Sequence, residues 1–72
     1  MIEVNKRKLE NWNETVDLIG WGGLAKITQL SGLSQPTILR ALREGRATHK
    51  TIIAIDRAMA RVRKEYKSAN VL

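Results

Sequence analysis

Apolar residues recur along the chain at helical spacing. Leu9, Trp12, Val16 and Ile19 follow one another at steps of three, four and three, which draws one stripe on a helix. Asn5 is placed to cap its start. Gly20 stops it as the left-handed residue after the last turn, with Trp21 folding back on Val16 as in a Schellman ending. Trp21-Gly22-Gly23 opens a second unit whose inward positions are Leu24, Ile27, Leu30 and Ser31, and Gly32 ends it. Ser34 is a good N-cap for a third helix, and Pro36 suits a first turn, where its missing N–H costs nothing. Ile38, Ala41 and Leu42 form the buried stripe of that helix, and Gly45 closes it. Thr48 then caps a longer fourth helix carrying Ile52, Ile55, Met59, Val62 and Tyr66, with Ile53 beside the stripe. Strand alternation, repeats, low-complexity tracts and linkers are missing. The pattern predicts a single all-α domain over residues 1–72, built of helices with short joints.

A chain of 72 residues buries only a modest core and needs either good helix packing or a partner chain. With no cysteine and a single His, neither disulfides nor a zinc site can supply that support, and no cofactor or metal is expected. No apolar run approaches a membrane span, and the start, MIEVNKRKLENW, lacks the apolar core of a signal peptide, so no membrane partner is expected and a cytoplasmic location is. The net charge of +6 is unevenly placed. Through residue 36, Lys6, Arg7, Lys8 and Lys26 balance Glu3, Glu10, Glu14 and Asp17. Beyond it, nine Lys or Arg face only Glu44, Asp56 and Glu65. A basic half suits a polyanion; the plain alternative is a solvated surface.

The joint at Gly32 sharpens that choice. Two short helices, a turn with Gly and a second helix capped by a small polar residue describe a helix-turn-helix, although an ordinary αα-corner carries the same signals. Leu33 plugs into the core as a turn residue, and Ile38 locks the third helix against the second. The outer face of the third helix keeps Gln35, Pro36, Thr37, Leu39, Arg40 and Arg43, with no carboxylate before Glu44. Amides, hydroxyls and Arg near a helix start suit a major groove.

The stretch ITQLSGLSQPTILRAL resembles the helix-turn-helix of bacterial and phage repressors, both the lac-repressor type with its Ala-Gly-Val-Ser-x-x-Thr-Val core and the lambda repressor and Cro type. Gly32 matches the turn glycine, Leu33 the apolar residue after it, and Ile38 the buried β-branched residue of the recognition helix. The motif covers about residues 24–43. The resemblance implies a small four- to five-helix bundle of the lambda-repressor-like kind that binds double-stranded DNA. Two positions depart from it. Thr28 stands where the family has Ala, and its hydroxyl needs a partner such as the Leu24 carbonyl. Leu24 stands where the family often has a phosphate-holding Gln. Either the backbone N–H groups of Gly22 and Gly23 take over that phosphate, or the glycines are only a joint.

Carried over residue by residue, the resemblance puts Gln35 and Pro36 at base edges, Gln35 toward adenine and Pro36 toward a thymine methyl. Arg40, one turn along, suits guanine or phosphate. Leu39 meets a thymine methyl or packs on a loop. Arg43 and Arg46 suit backbone phosphates. Ser34 is a cap first and a phosphate ligand second, and Thr37 divides between the same roles. His49 and Lys50 either hold phosphate or open a solvated helix. Trp12 lies in the apolar stripe and Trp21 fits a helix ending, so both read as core rather than as stacking platforms.

The fourth helix holds either the core or a dimer seam, through Ile52, Ile53, Ile55, Met59 and Val62, with Ala54, Ala58 and Val62 as a second weak edge for a partner. Arg57, Arg61, Arg63, Lys64 and Lys67 crowd its last turns, which favours the helix dipole. One recognition helix reads few base pairs, so a homodimer on a palindromic operator is expected. Catalysis is not: Gly20-Trp21-Gly22-Gly23 lacks the Gly-Lys-Ser/Thr of a phosphate loop, and Glu10, Glu14 and Asp17 form one solvated face. The expected function is a small repressor-like or antitoxin-type autoregulator. The alternatives are a module docking an acidic protein, such as another repressor or a toxin, and an excision or recombination accessory factor.

Overall fold

A computed structural model describes the backbone of residues 1–70 and, over residues 1–66, every side chain but that of Trp21. The chain runs β1 (Ile2–Glu3), α1 (Lys6–Ser31), α2 (Gln35–Glu44), β2 (Arg46–Ala47) and α3 (His49–Asn70). Asn5 caps α1, its side chain accepting from the Arg7 N–H at 2.9 Å. Gly32 and Gly45 end α1 and α2 in the left-handed conformation, and their N–H groups donate to the Thr28 and Ala41 carbonyls. Thr48 opens α3, its hydroxyl accepting from the Thr51 N–H at 3.3 Å and its carbonyl from the Ile52 N–H at 3.0 Å. The hydroxyl of Thr28 finds the expected Leu24 carbonyl at 3.0 Å.

The first joint falls at Gly20 as expected, with a positive φ, but not as a Schellman ending. No loop separates the first two helices: α1 is one run broken at Gly20, whose φ of 71° is paired with a ψ of −170°. That combination is extended and left-handed, unlike a Schellman ending, and is open essentially to glycine alone. One residue therefore turns arm 6–19 into arm 21–31. The contact expected between Trp21 and Val16 lies outside the described residues, as does the side chain of Lys67. Gly22 and Gly23 sit inside the second arm. A Cβ at 22 would meet open space, whereas one at 23 would overlap Cβ, Cγ1 and Cδ1 of Ile19. Gly22→Ala should therefore raise stability by about 0.5–1 kcal/mol through helix propensity. Gly23→Ala should lower it, because overpacking of about 1–3 kcal/mol outweighs the same gain. Urea midpoints of the two variants check the pair.

The short β1–β2 pair is also new. Ile2 pairs with Ala47 and Glu3 with Arg46 in antiparallel register, and the Val4 N–H donates to the Gly45 carbonyl at 2.8 Å. Two residues per strand are too few for alternation to be read in a sequence.

Both arms of α1, together with α2 and α3, close on one core. Trp12, Leu24, Ile27, Ile38 and Ile55 are its largest fully buried apolar side chains, joined by Ala41, Leu42, Met59, Val62 and Ala58. Leu9, Val16, Ile19, Leu30, Leu33 and Ile52 pack around them half-buried. Two expectations for α3 change. Ala58 and Val62, proposed as part of a second edge for a partner, are buried within the single chain, and Tyr66, the last of the stripe, is 36% exposed where the core has ended. Ile53 is 38% exposed.

Polar groups tie the arms to α3. The Trp12 indole Nε1 donates to Asp56 Oδ1 at 3.1 Å while Lys8 Nζ reaches Oδ2 at 3.3 Å. Arg63 donates to the Asn11 side chain. On the other arm Lys26 Nζ lies 2.8 Å from Glu65 Oε2, which holds the Glu65 carboxyl below its ordinary pKa, with Arg61 adding a weaker pull. Thr15, buried, returns its hydroxyl to the Asn11 carbonyl at 2.8 Å.

Candidate nucleic-acid interface

α2 divides cleanly into two faces. Ile38, Ala41 and Leu42 are buried. Gln35, Pro36, Thr37, Arg40 and Arg43 are exposed, and Leu39 is 37% exposed. The helix start is fixed by Ser34, whose Oγ accepts from the Thr37 N–H at 3.4 Å and lies 2.8 Å from the Thr37 hydroxyl. Thr37 thus shares in the cap, the first of its two expected roles. Pro36 stands in the first turn. Capped in this way, the helix presents its N-terminal side chains at fixed positions without a ligand to order them.

The second wall comes from β2 and the start of α3. Thr37, Arg40 and Ala41 from α2 face Arg46, Ala47, Thr48 and Thr51 across a cleft of about 180 Å³, with Met1 at its edge. Sequence reasoning had Arg40 and Arg46 as separate contacts; the fold places them around one depression. It missed Thr48 and Thr51 as lining residues, reading Thr48 only as a cap. Their hydroxyls bond to each other at 2.9 Å. The β1–β2 pair carries Met1 to this edge.

The positive charge of the region is only partly offset: Glu44 ends α2 and Glu3 stands opposite Arg46 in the β1–β2 ladder. Among the described residues the ion pairs are Lys8–Asp56, Lys26–Glu65 and Arg61–Glu65. Arg40, Arg43, Arg46, His49 and Lys50, all exposed, take part in none. Arg40, Arg43, Arg46 and Lys50, with His49 among them, therefore gather about α2, the turn after it and the start of α3. Such a surface attracts anions, and the exposed amide, hydroxyl and guanidinium groups of α2 are free to hydrogen-bond to a polar ligand.

Gly23 stands apart. It does not line the cleft, and its packing on Ile19 accounts for the glycine without a ligand. Of the α3 residues read as core or seam, Ile55, Met59 and Val62 are buried, Ile52 is half-buried, and Ile53 faces out. Among the described residues no three His, Cys, Asp or Glu side chains gather as a metal ion would require, and no helix is long and apolar enough to cross a membrane. No family model, curated protein or solved structure matches this chain.

Proposed function

We propose that this chain is a sequence-specific double-stranded DNA-binding regulator of the repressor-like kind, with α2 in the major groove. The observation that carries the reading is the acid-free outer face of α2 from Gln35 to Arg43, continued by Arg46 across the cleft. Gln35, Pro36, Leu39 and Arg40 face base edges. Ser34, Thr37, Arg43, Arg46, His49 and Lys50 grip phosphates around them. Two copies on a palindrome double the number of bases read.

Selection of bound sequences from a random duplex library, at two salt concentrations, tests this. A two-fold symmetric motif supports a dimeric reader. Salt-sensitive binding without a motif leaves only backbone grip. No binding refutes the reading and favours an acidic protein as partner.

Two substitutions separate the contacts. Arg40→Ala should cost about 1–3 kcal/mol on the selected site and relax one base position, whereas Arg46→Ala should weaken all sequences alike and lower the salt slope by about 1. Fluorescence anisotropy on selected and scrambled duplexes distinguishes the two patterns.

A further inference from the structure

The outer face of α3 carries a second basic surface. Lys50, Arg57, Arg61 and Lys64 are all exposed. At 3.6 residues per turn their spacing places them within about 60° of arc and along about 21 Å of helix. Of the two carboxylates of α3 among the described residues, Asp56 turns aside from this ridge and Glu65 stands at its edge. Asp56 is taken by Lys8 and Trp12, and Glu65 lies nearest to Lys26 on α1, with Arg61 Nε at 3.8 Å from its other oxygen.

This arrangement works against the helix. Arg57 and Arg61 repel at i,i+4, as do Arg61 and Lys64 at i,i+3. The last-turn cations gain from the helix dipole, but Lys50 sits in the first turn, where a cation is disfavoured and no acidic residue offsets it. The Arg61–Glu65 pair offsets part of this for Arg61, but neither stability nor capping explains Lys50, Arg57 and Lys64 on the same line; a polyanion does. An anionic membrane surface fits less well, because the apolar stripe of α3 is in the core and Ile53 is the one large apolar side chain on the ridge.

We infer that the outer face of α3 is a phosphate-backbone surface, reading no sequence, that grips double-stranded nucleic acid in addition to the α2 face. Its partner rests on the DNA reading above. Over about 21 Å of axis one strand of a duplex presents roughly six phosphates, enough to engage all four cations.

The test is the triple variant Arg57→Gln, Arg61→Gln, Lys64→Gln, with Arg57→Lys, Arg61→Lys as the charge-keeping control. All three positions are exposed, so the fold should be retained, which circular dichroism checks. Binding is followed against salt on a duplex carrying the selected site, on a scrambled duplex and on vesicles of anionic and zwitterionic phospholipid. The slope of log K against log salt should fall by about 2–3 in the triple variant, equally on both duplexes, and stay unchanged in the control. The base preference set by α2 should persist. An unchanged slope in the triple variant, with the motif intact, overturns this inference alone and makes the ridge a solvated face. Loss of vesicle binding without loss on DNA also overturns it, in favour of a lipid surface. Failure of the unmodified protein to bind any duplex overturns both readings.

Discussion

Ile55→Asp should remove most of the domain's stability. Ile55 is fully buried within the cluster that holds Trp12, Ile27 and Ile38. A carboxylate there has no polar partner, and the change also removes a large apolar side chain. Combined losses of this kind exceed about 4–5 kcal/mol. A domain of this size has a total stability of roughly 4–11 kcal/mol, at about 0.05–0.15 kcal/mol per residue. A far-UV thermal transition that is lost or lowered by about 20 °C or more is the expected result, and a stable folded monomer would instead make the stripe a seam between chains. Ile53→Asp, two residues away on the exposed side, is the contrast. At 38% exposure Ile53 is still largely covered, so the change should cost about 1–2 kcal/mol and leave the protein folded, and loss of a dimer on sedimentation would place the partner against that face.

Trp12→Ala carries the second large effect. Trp12 is 1% exposed and spans from the core to Asp56. Truncation should cost about 3–5 kcal/mol from lost burial and the cavity left behind. Trp12→Phe separates the two contributions. It keeps most of the apolar bulk and removes the indole donor, so about 1–3 kcal/mol should be lost, with Asp56 keeping Lys8. Urea denaturation of both variants measures the difference.

The ends of the helices were legible because capping is local. Asn5, Ser34 and Thr48 each needed only a hydroxyl or amide and the N–H groups of the next residues. The buried stripe of α2 was legible for the same reason: ten residues at a fixed period hold Ile38, Ala41 and Leu42 on one side. The features that sequence did not reveal depend on what meets what. Nothing local tells whether Ala58 and Val62 face a partner or α1, and nothing links Trp12 to Asp56 across 44 positions. Gly23 invited a ligand, and its explanation is a neighbour one turn back, Ile19. In the candidate interface the outward set on α2 was readable from periodicity. The cleft was not, because it exists only once the chain turns back after Gly45 and sets Arg46, Thr48 and Thr51 opposite Thr37 and Arg40.

The two-residue β1–β2 ladder has a practical corollary. Because Ile2 is pinned to Ala47, Met1 lies at the rim of the cleft beside Thr37 and Arg40. Any peptide joined ahead of Met1 therefore emerges on the α2 side of the molecule. An affinity tag or fluorescent label placed there would compete for the same space as an incoming ligand, and a basic tag would lend it extra charge. Reagents and fusions intended to leave that surface untouched belong elsewhere on the chain.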